Sequence, residues 1–409
     1  MTTHVRVCII GGGVLGCSIA YYLARMGCPE VLLLEKTEIG AGSTSQAAGL
    51  VGRLRASSLM TKLMQLSVRN LKALRDETGE DPDFHEVGSI RIALTAAREE
   101  ELRRQVVFGR QHGLDIDFIE PAEARRLVPA LDTDGVRVMT YIPDDGFVDP
   151  YLLTMAFAKG ARQHGAVIRR GVAAEGILVE DGAVAGVLAG GEQIRAQWVV
   201  DAAGAWTEQV GEMAGVWVPQ FPVRHQLWVT ADLEGVRPDQ PVVRVPDAYA
   251  YVRPEVRGLL IGFFEPASIG VDPRTLARDF EMRFLPKDDR VLTTWAPAVG
   301  AQFPTLLDAP IVRGCAGLPT FTPDGRFVLG EAPTLKRFVI ASGCCAHGIM
   351  TAPAVGQLVA ELILDGTPSL DLGPLSPGRF GPEHRDRHRL QATCEAVYNA
   401  YYGLSPGYR

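Results

Sequence analysis

The apolar positions change period along the chain, and each change marks an element. Val7-Cys8-Ile9-Ile10 and Val31-Leu32-Leu33-Leu34 are unbroken apolar runs, as a strand covered on both faces requires. Between them, Val14 to Met26 reads as a helix closed by Gly27. Met60, Leu63, Met64, Ser67, Leu71 and Leu74 recur at helical spacing and stop at Gly79. Gly88 to Thr95 alternates Ile90, Ile92 and Leu94 with polar or small residues, a strand with one wet face. A charged helix spans Ala97 to Gln111, and another opens at Glu120 with Pro121 in its first position. Asp149 to Gly165 predicts a helix leading into the short strand Ala166-Val167-Ile168. Val172 to Arg195 holds two or three strands, followed by the buried run Trp198-Val199-Val200. Gln226–Ala231, Ala248–Arg253 and Gly258–Glu265 predict an antiparallel sheet. Phe338-Val339-Ile340-Ala341 is a last buried strand, and the helix after it is expected to carry Pro353 in its first turn.

The junction between the first strand and helix holds the first chemical signal. Gly11, Gly13 and Gly16 form Gly-x-Gly-x-x-Gly, with Val14 and Leu15 opening the helix. Such glycines let the backbone turn tightly and approach a pyrophosphate, whose charge rests on the helix N-terminus. Glu35 ends the second strand, 19 residues after Gly16, where a carboxylate accepts from a ribose diol; Lys36 follows it. Strand, loop, helix, strand and acid together specify a site for FAD or NAD. Small residues from Ile39 to Gly49 then make a loop able to lie flat against a cofactor, and Trp198 to Gly204 returns a third strand end to the same place.

This order predicts an α/β chain, α+β overall, with a Rossmann-like FAD-binding domain interleaved with an antiparallel-sheet substrate domain. The expected boundaries are 1–80, 145–218 and 323–386 for the nucleotide domain, 81–144 and 219–322 for the substrate domain, and 387–409 for a C-terminal tail. That tail carries Tyr398, Tyr401, Tyr402 and Tyr408, suited to packing on the body or on a partner. Interleaving favours a flavoprotein over a nicotinamide dehydrogenase.

Composition narrows the picture. With 409 residues, 47% hydrophobic and 22% charged, the chain resembles an ordinary enzyme with room for two cores. A net charge of -7 without basic runs excludes nucleic acid as a partner, and no run reads as a leader or membrane span. Seven cysteines, odd in number and without Cys-x-x-Cys, suggest buried thiols, a reducing cytoplasmic setting and no metal. Asp144, Asp145 and Asp149 lack metal-loop spacing and are expected to cap the helix at Pro150.

Four stretches together resemble the D-amino-acid oxidase and sarcosine oxidase superfamily of FAD enzymes, nearest its dimethylglycine and sarcosine dehydrogenase branch. They are the glycine loop with Glu35; Gly42-Ser43-Thr44-Ser45-Gln46-Ala47-Ala48-Gly49-Leu50; Asp144 to Pro150 with Ala202-Ala203-Gly204-Ala205-Trp206; and Thr322 to Gly325 with Gly343 to Gly348. The resemblance implies that Val172, Ala203, Gly204, Trp206, Gly317, Gly343, His347, Gly348, Ile349 and Met350 also contact the flavin. In the branch, a histidine at the place of Gln46 is bonded to FAD. Monomeric sarcosine oxidases use a cysteine that aligns with Gly317, and a two-residue shift in register would bring Cys315 there. Gln46 and Gly317 imply a non-covalent FAD.

The resemblance also implies the chemistry: oxidation of a secondary or tertiary amine or amino acid, such as an N-methylated glycine, with dioxygen or a protein acceptor taking the electrons. The alternatives are a D-amino-acid or glycine oxidase acting on a primary amine, and a flavin subunit of a larger electron-transferring complex or oligomer. Because no folate-binding module follows before Arg409, formaldehyde from a demethylation is expected to leave freely. His225 and Tyr251 are the candidate catalytic residues. An imidazole titrating near neutral pH would help set the protonation of the amine, and the tyrosine would orient it. Tyr249 is placed on the same face by alternation. Met350 stands where a related lysine holds the substrate carboxylate, leaving Arg53 and Arg55 as candidates for that task.

Overall fold

The computed structural model describes residues 3–405, so Tyr408 lies outside the described residues. The continuous apolar runs become neighbouring strands of one parallel sheet, in the order Phe338–Ser342, Glu192–Asp201, Thr3–Ile10, Val31–Glu35 and Val167–Arg170. The antiparallel pair Ala174–Glu180 and Ala183–Ala189 joins the sheet through Ala183–Ala189, which pairs with the first part of Glu192–Asp201. Helices Val14–Arg25, Ser58–Thr78, Pro150–Gln163 and Gly348–Asp365 bury their apolar sides against one face and one another. They pack closely: a Cβ on Gly356 would lie 2.2 Å from the Ser18 hydroxyl.

Because these five strands run the same way, their carboxyl ends share one edge, and the loops leaving them converge there. Those loops are the glycine turn after Ile10, Glu35 to Thr37, Gly171 to Ala174, Ala202 to Trp206 and Gly343 to Gly348.

A second, eight-stranded sheet has the order Ile311–Gly317, His225–Thr230, Gly258–Phe263, Ala250–Glu255, Val242–Val245, Ser89–Ala93, Val138–Ile142 and Asp117–Phe118. Its pairs are antiparallel except Val242–Val245 with Ser89–Ala93, which is parallel. One face packs on helix Asp289–Gly300 through Trp228, Val299 and Phe303. The other carries His225, Leu227, Tyr251 and Cys315 and is covered by the C-terminal helix Arg387–Asn399 and the Tyr401-Tyr402 pair.

Two expectations change. Pro353 stands inside the helix Gly348–Asp365, in its second turn, where it removes a main-chain N–H from the ladder. Ser67 ties the adjoining rung, its hydroxyl donating to the Met350 carbonyl (2.5 Å) and accepting from the Ala354 N–H (3.3 Å). This helix is long and apolar enough to cross a membrane, with mean hydropathy 1.2, yet 61% of it is buried in the core. Secondly, of the three acids near Pro150, Asp149 alone caps the helix, accepting from the Leu152 N–H at 2.8 Å. Asp144 and Asp145 pair with Arg53 instead.

Candidate active site

The groove at the shared strand edge is built by close approach. Gly11 takes φ +108°, and a Cβ on Gly16 would lie 1.9 Å from the Gly11 carbonyl, so the helix can start where it does only with glycine there. Glu35 accepts from the Gly12 N–H (2.7 Å) and the Thr37 N–H (2.8 Å), tying the acid to the loop it serves. Thr44 accepts from the Val14 N–H at 3.2 Å and fixes the small-residue loop over the helix start. Lys36 places its ammonium 3.5 Å from the centre of the Trp206 ring, and burial lowers its pKa.

The cavity of about 290 Å³ so formed is lined by Gly11, Gly13, Val14, Leu15, Glu35, Lys36, Gly42, Ser43, Thr44, Ala47, Val172, Ala203, Gly204, Trp206, Gly348 and Ile349 among the expected residues. Sequence reasoning missed Leu318, Pro319, Thr320 and the segment Phe280 to Met282, which carry no motif. Cys344 and Ala346 also line it, inside a turn already singled out. A narrow glycine cradle at a helix start, a carboxylate beyond it and a long apolar trough fit FAD.

Other expected contacts stand behind this surface. Gly16 packs under the loop, and Gly343 at φ +63° makes the turn against Thr322. The Ala48 carbonyl accepts from Arg253 Nε at 2.8 Å, so the strand of the candidate tyrosine clamps the loop. Gly49 closes on Val148, and Leu50 pairs with Phe147. Gln46 and Gly317 face each other, a Cβ on Gly317 falling 3.0 Å from the Gln46 Cβ. His347 precedes the helix Gly348–Asp365 and bonds Tyr401 through Nε2 at 3.0 Å rather than lining the groove. Before it, Ala346 sits at φ +63°, a left-handed conformation unusual for a residue with a side chain.

On the sheet face, four side chains form one line. Tyr398 donates to Glu265 at 2.8 Å and approaches the Phe263 carbonyl at 3.3 Å. His225 Nδ1 lies 2.9 Å from that tyrosine's oxygen, and Nε2 lies 2.8 Å from Tyr251. Both acceptors around Tyr398 claim its proton, so Nδ1 carries the hydrogen and Nε2 accepts from Tyr251. His225 also stacks on Phe264, ring centres 4.4 Å apart, and burial pushes its pKa down to about 3. The expected titration near neutral pH is therefore corrected: the imidazole is neutral. Tyr251 reaches this position by leaning over Gly262, where a Cβ would lie 2.1 Å from its hydroxyl.

The substrate-binding expectations fare differently. Arg53 is paired with Asp144 (2.6 Å) and lies 3.6 Å from Asp145, so part of its charge is already matched within the chain. Tyr249 precedes its strand at φ +55°, which breaks the alternation, and its ring meets Trp295 edge-on at 5.1 Å. Met350 lies in the first turn of its helix with its sulfur against the Arg55 guanidinium. Sequence reasoning did not single out Glu265, nor Tyr398 and Tyr401 individually, as members of this cluster. The signal for the two tyrosines was a tyrosine-rich tail with no partner visible in sequence.

A Rossmann-like nucleotide cleft together with an antiparallel sheet that carries a His–Tyr pair defines the class of flavoenzymes. A family profile described as FAD dependent oxidoreductase matches residues 6–362, and the chain belongs to that family. It is 32% identical over 404 residues to 4-methylaminobutanoate oxidase (formaldehyde-forming) of Paenarthrobacter nicotinovorans, covering 99% of this chain and 49% of that one. It is 34% identical over 386 residues to mitochondrial dimethylglycine dehydrogenase of Rattus norvegicus, covering 91% and 44% respectively. The chain thus spans about half the length of these two relatives. The crystal structure of L-proline dehydrogenase from P. horikoshii superposes with a TM-score of 0.84 at 29% identity, covering 93% of this chain and 98% of that one.

Proposed function

We propose that the chain oxidises the C–N bond of a secondary or tertiary amine, giving an imine or iminium that water hydrolyses to an aldehyde and a shorter amine. Bound FAD supplies a two-electron acceptor that takes hydride from the carbon beside nitrogen, with dioxygen or a protein acceptor downstream. The observation that carries the reading is the line Tyr251, His225, Tyr398 and Glu265, joined by contacts of 2.8, 2.9 and 2.8 Å. An ammonium cannot give up hydride until its nitrogen lone pair is freed. Tyr251 spends its own hydrogen on His225, so its oxygen faces the substrate as an acceptor.

A proton taken there moves along the line without charging the histidine. Tyr251 passes its hydrogen to Nε2, Nδ1 passes its hydrogen to Tyr398, and Tyr398 passes one to Glu265. The imidazole only changes tautomer, which agrees with its depressed pKa. Glu265 is 3% exposed and its pKa is raised by burial, as suits a terminal acceptor. The names of the relatives support the amine class: two refer to N-methylated amines, and proline is a cyclic secondary amine.

Gln46 and Gly317, at the two places where related enzymes tether flavin, provide no nucleophile, and burial raises the Cys315 thiol. Acid precipitation should therefore leave the yellow colour in solution; colour retained in the pellet would show a covalent link.

Anaerobic mixing with sarcosine, dimethylglycine, proline, glycine and D-alanine tests the function. Bleaching by the N-methyl amines or proline is expected. Bleaching by glycine or D-alanine alone would move the enzyme to primary amines.

A further inference from the structure

Beside the catalytic line, the same sheet face carries a charge imbalance. Arg244 is the cross-strand partner of Tyr251, and Arg91 is the partner of Arg244 on the next strand, so two guanidinium groups stand side by side. Arg244 is 8% exposed and makes no ion pair with any described residue. Arg91 donates to the neutral Gln105 at 3.1 Å. A cavity of about 20 Å³ lies among Arg91, Arg244, Gln105 and Asp145. That carboxylate is already used, accepting from the Arg53 N–H (3.0 Å) and the Ser89 hydroxyl (2.7 Å). Gln105 is 1% exposed and lines the same cavity, and its amide nitrogen has no hydrogen-bond partner among the described residues. Three arginines, Arg55, Arg91 and Arg244, and an orphan donor surround one small cavity against the single carboxylate of Asp145, so the lining is net positive and calls for an anion, since buried donors are costly to leave unmatched.

Its position fixes what the anion belongs to. The Tyr251 hydroxyl hangs over Gly262, one strand away from its own, while Arg244 lies one strand to the other side. Amine position and anion position are thus two to three strands apart, about 10 to 14 Å along the sheet at the usual spacing. Arg244 does not lean back to close this gap: its Nη2 reaches Gly52, 3.4 Å from where a Cβ would sit. An α-amino acid holds its carboxylate one carbon from nitrogen, too short for this span.

We propose that Arg91, Arg244 and Gln105 form an anion subsite for the carboxylate of an ω-(N-alkylamino) carboxylic acid whose amine end lies at Tyr251. The inference rests on the amine-oxidising reading above and extends it to the substrate's far end. The test measures kcat/KM for sarcosine, N-methyl-β-alanine and the acids with three and four methylenes, with N-methylbutylamine as the analogue lacking charge. A rise of about 10- to 100-fold from sarcosine to the best longer acid is expected, the worth of a charge-assisted hydrogen bond. Arg244→Gln and Arg91→Gln should raise KM for that acid and narrow its advantage over N-methylbutylamine. Gln105→Leu, which changes no charge, should do so more weakly and carries the test if the arginine variants fold poorly. Sarcosine as the best substrate, or an unchanged advantage in the variants, would overturn the proposal. If no amine reduces the flavin, calorimetry with pentanoate separates the two ideas. Binding to the wild type that Arg244→Gln abolishes upholds the subsite although the amine reading fails, and no binding to the wild type sinks it.

Discussion

His225 shows how a residue's surroundings reverse its expected use. Its pKa near 3 lies below the ordinary histidine value, so the unfolded chain takes up a proton that the folded one refuses. The folded state bears no such cost above about pH 6.5. Below that pH, stability falls by up to about 1.4 kcal/mol per unit as the pH drops toward 3. His347, held neutral by burial and by Arg55 and Arg244, adds to the same acid limb. His225→Gln should make the fall of Tm below pH 6.5 shallower; an unchanged slope would refute the assignment. In rapid-reaction kinetics the same variant should slow flavin reduction by about 100-fold, within the range of positioned proton transfer. Glu265→Gln should also slow it, with a smaller effect for substrates offered above the pKa of their ammonium. Equal slowing at all pH values would remove Glu265 from the proton path. The sequence revealed His225 and Tyr251 because both lie on strands with a matching family pattern. Glu265 was hidden, since one acid at the end of an apolar strand carries no spacing signal.

At the scale of elements, the buried strands were legible because apolar runs of fixed length need no partner to be recognised. Val242–Val245 and Ile311–Gly317 were passed over as strands: the first is a four-residue run, and the second is interrupted by Arg313, Gly314 and Gly317. Pro353 misled in another way. A proline suggests a helix start, but Ser67 on a neighbouring helix bonds the rung beside the break, a tertiary fact no local window contains. Ser67→Ala should therefore destabilise the protein by about 1–3 kcal/mol, the cost of leaving buried main-chain groups unmatched. Denaturant titration checks this, and a change below about 0.5 kcal/mol, as at ordinary surface sites, would show that the kink satisfies itself.

For the whole molecule, the C-terminal segment is the part sequence reasoning placed least well. Helix Arg387–Asn399 brings Tyr398 against His225, and Arg98 holds the Tyr402 carbonyl while Glu101 accepts from the Ser405 N–H. Tyr398→Phe should leave flavin content and fold unchanged yet slow reduction, because Nδ1 loses the oxygen that sets its tautomer. Reduction at the wild-type rate would show that the helix merely covers the sheet.

The parallel sheet has one more implication, for the order of assembly. Its strand Glu192–Asp201 is flanked by Thr3–Ile10 on one side and by Phe338–Ser342 on the other, so the nucleotide groove is bounded by chain segments far apart in synthesis. Everything between Asp201 and Phe338, most of the second sheet included, must emerge before the groove has both walls. Such distant pairings fold slowly because loop closure precedes any reward from contact. The dinucleotide therefore finds its full seat only late, and flavin supply during growth should govern how much of the chain matures.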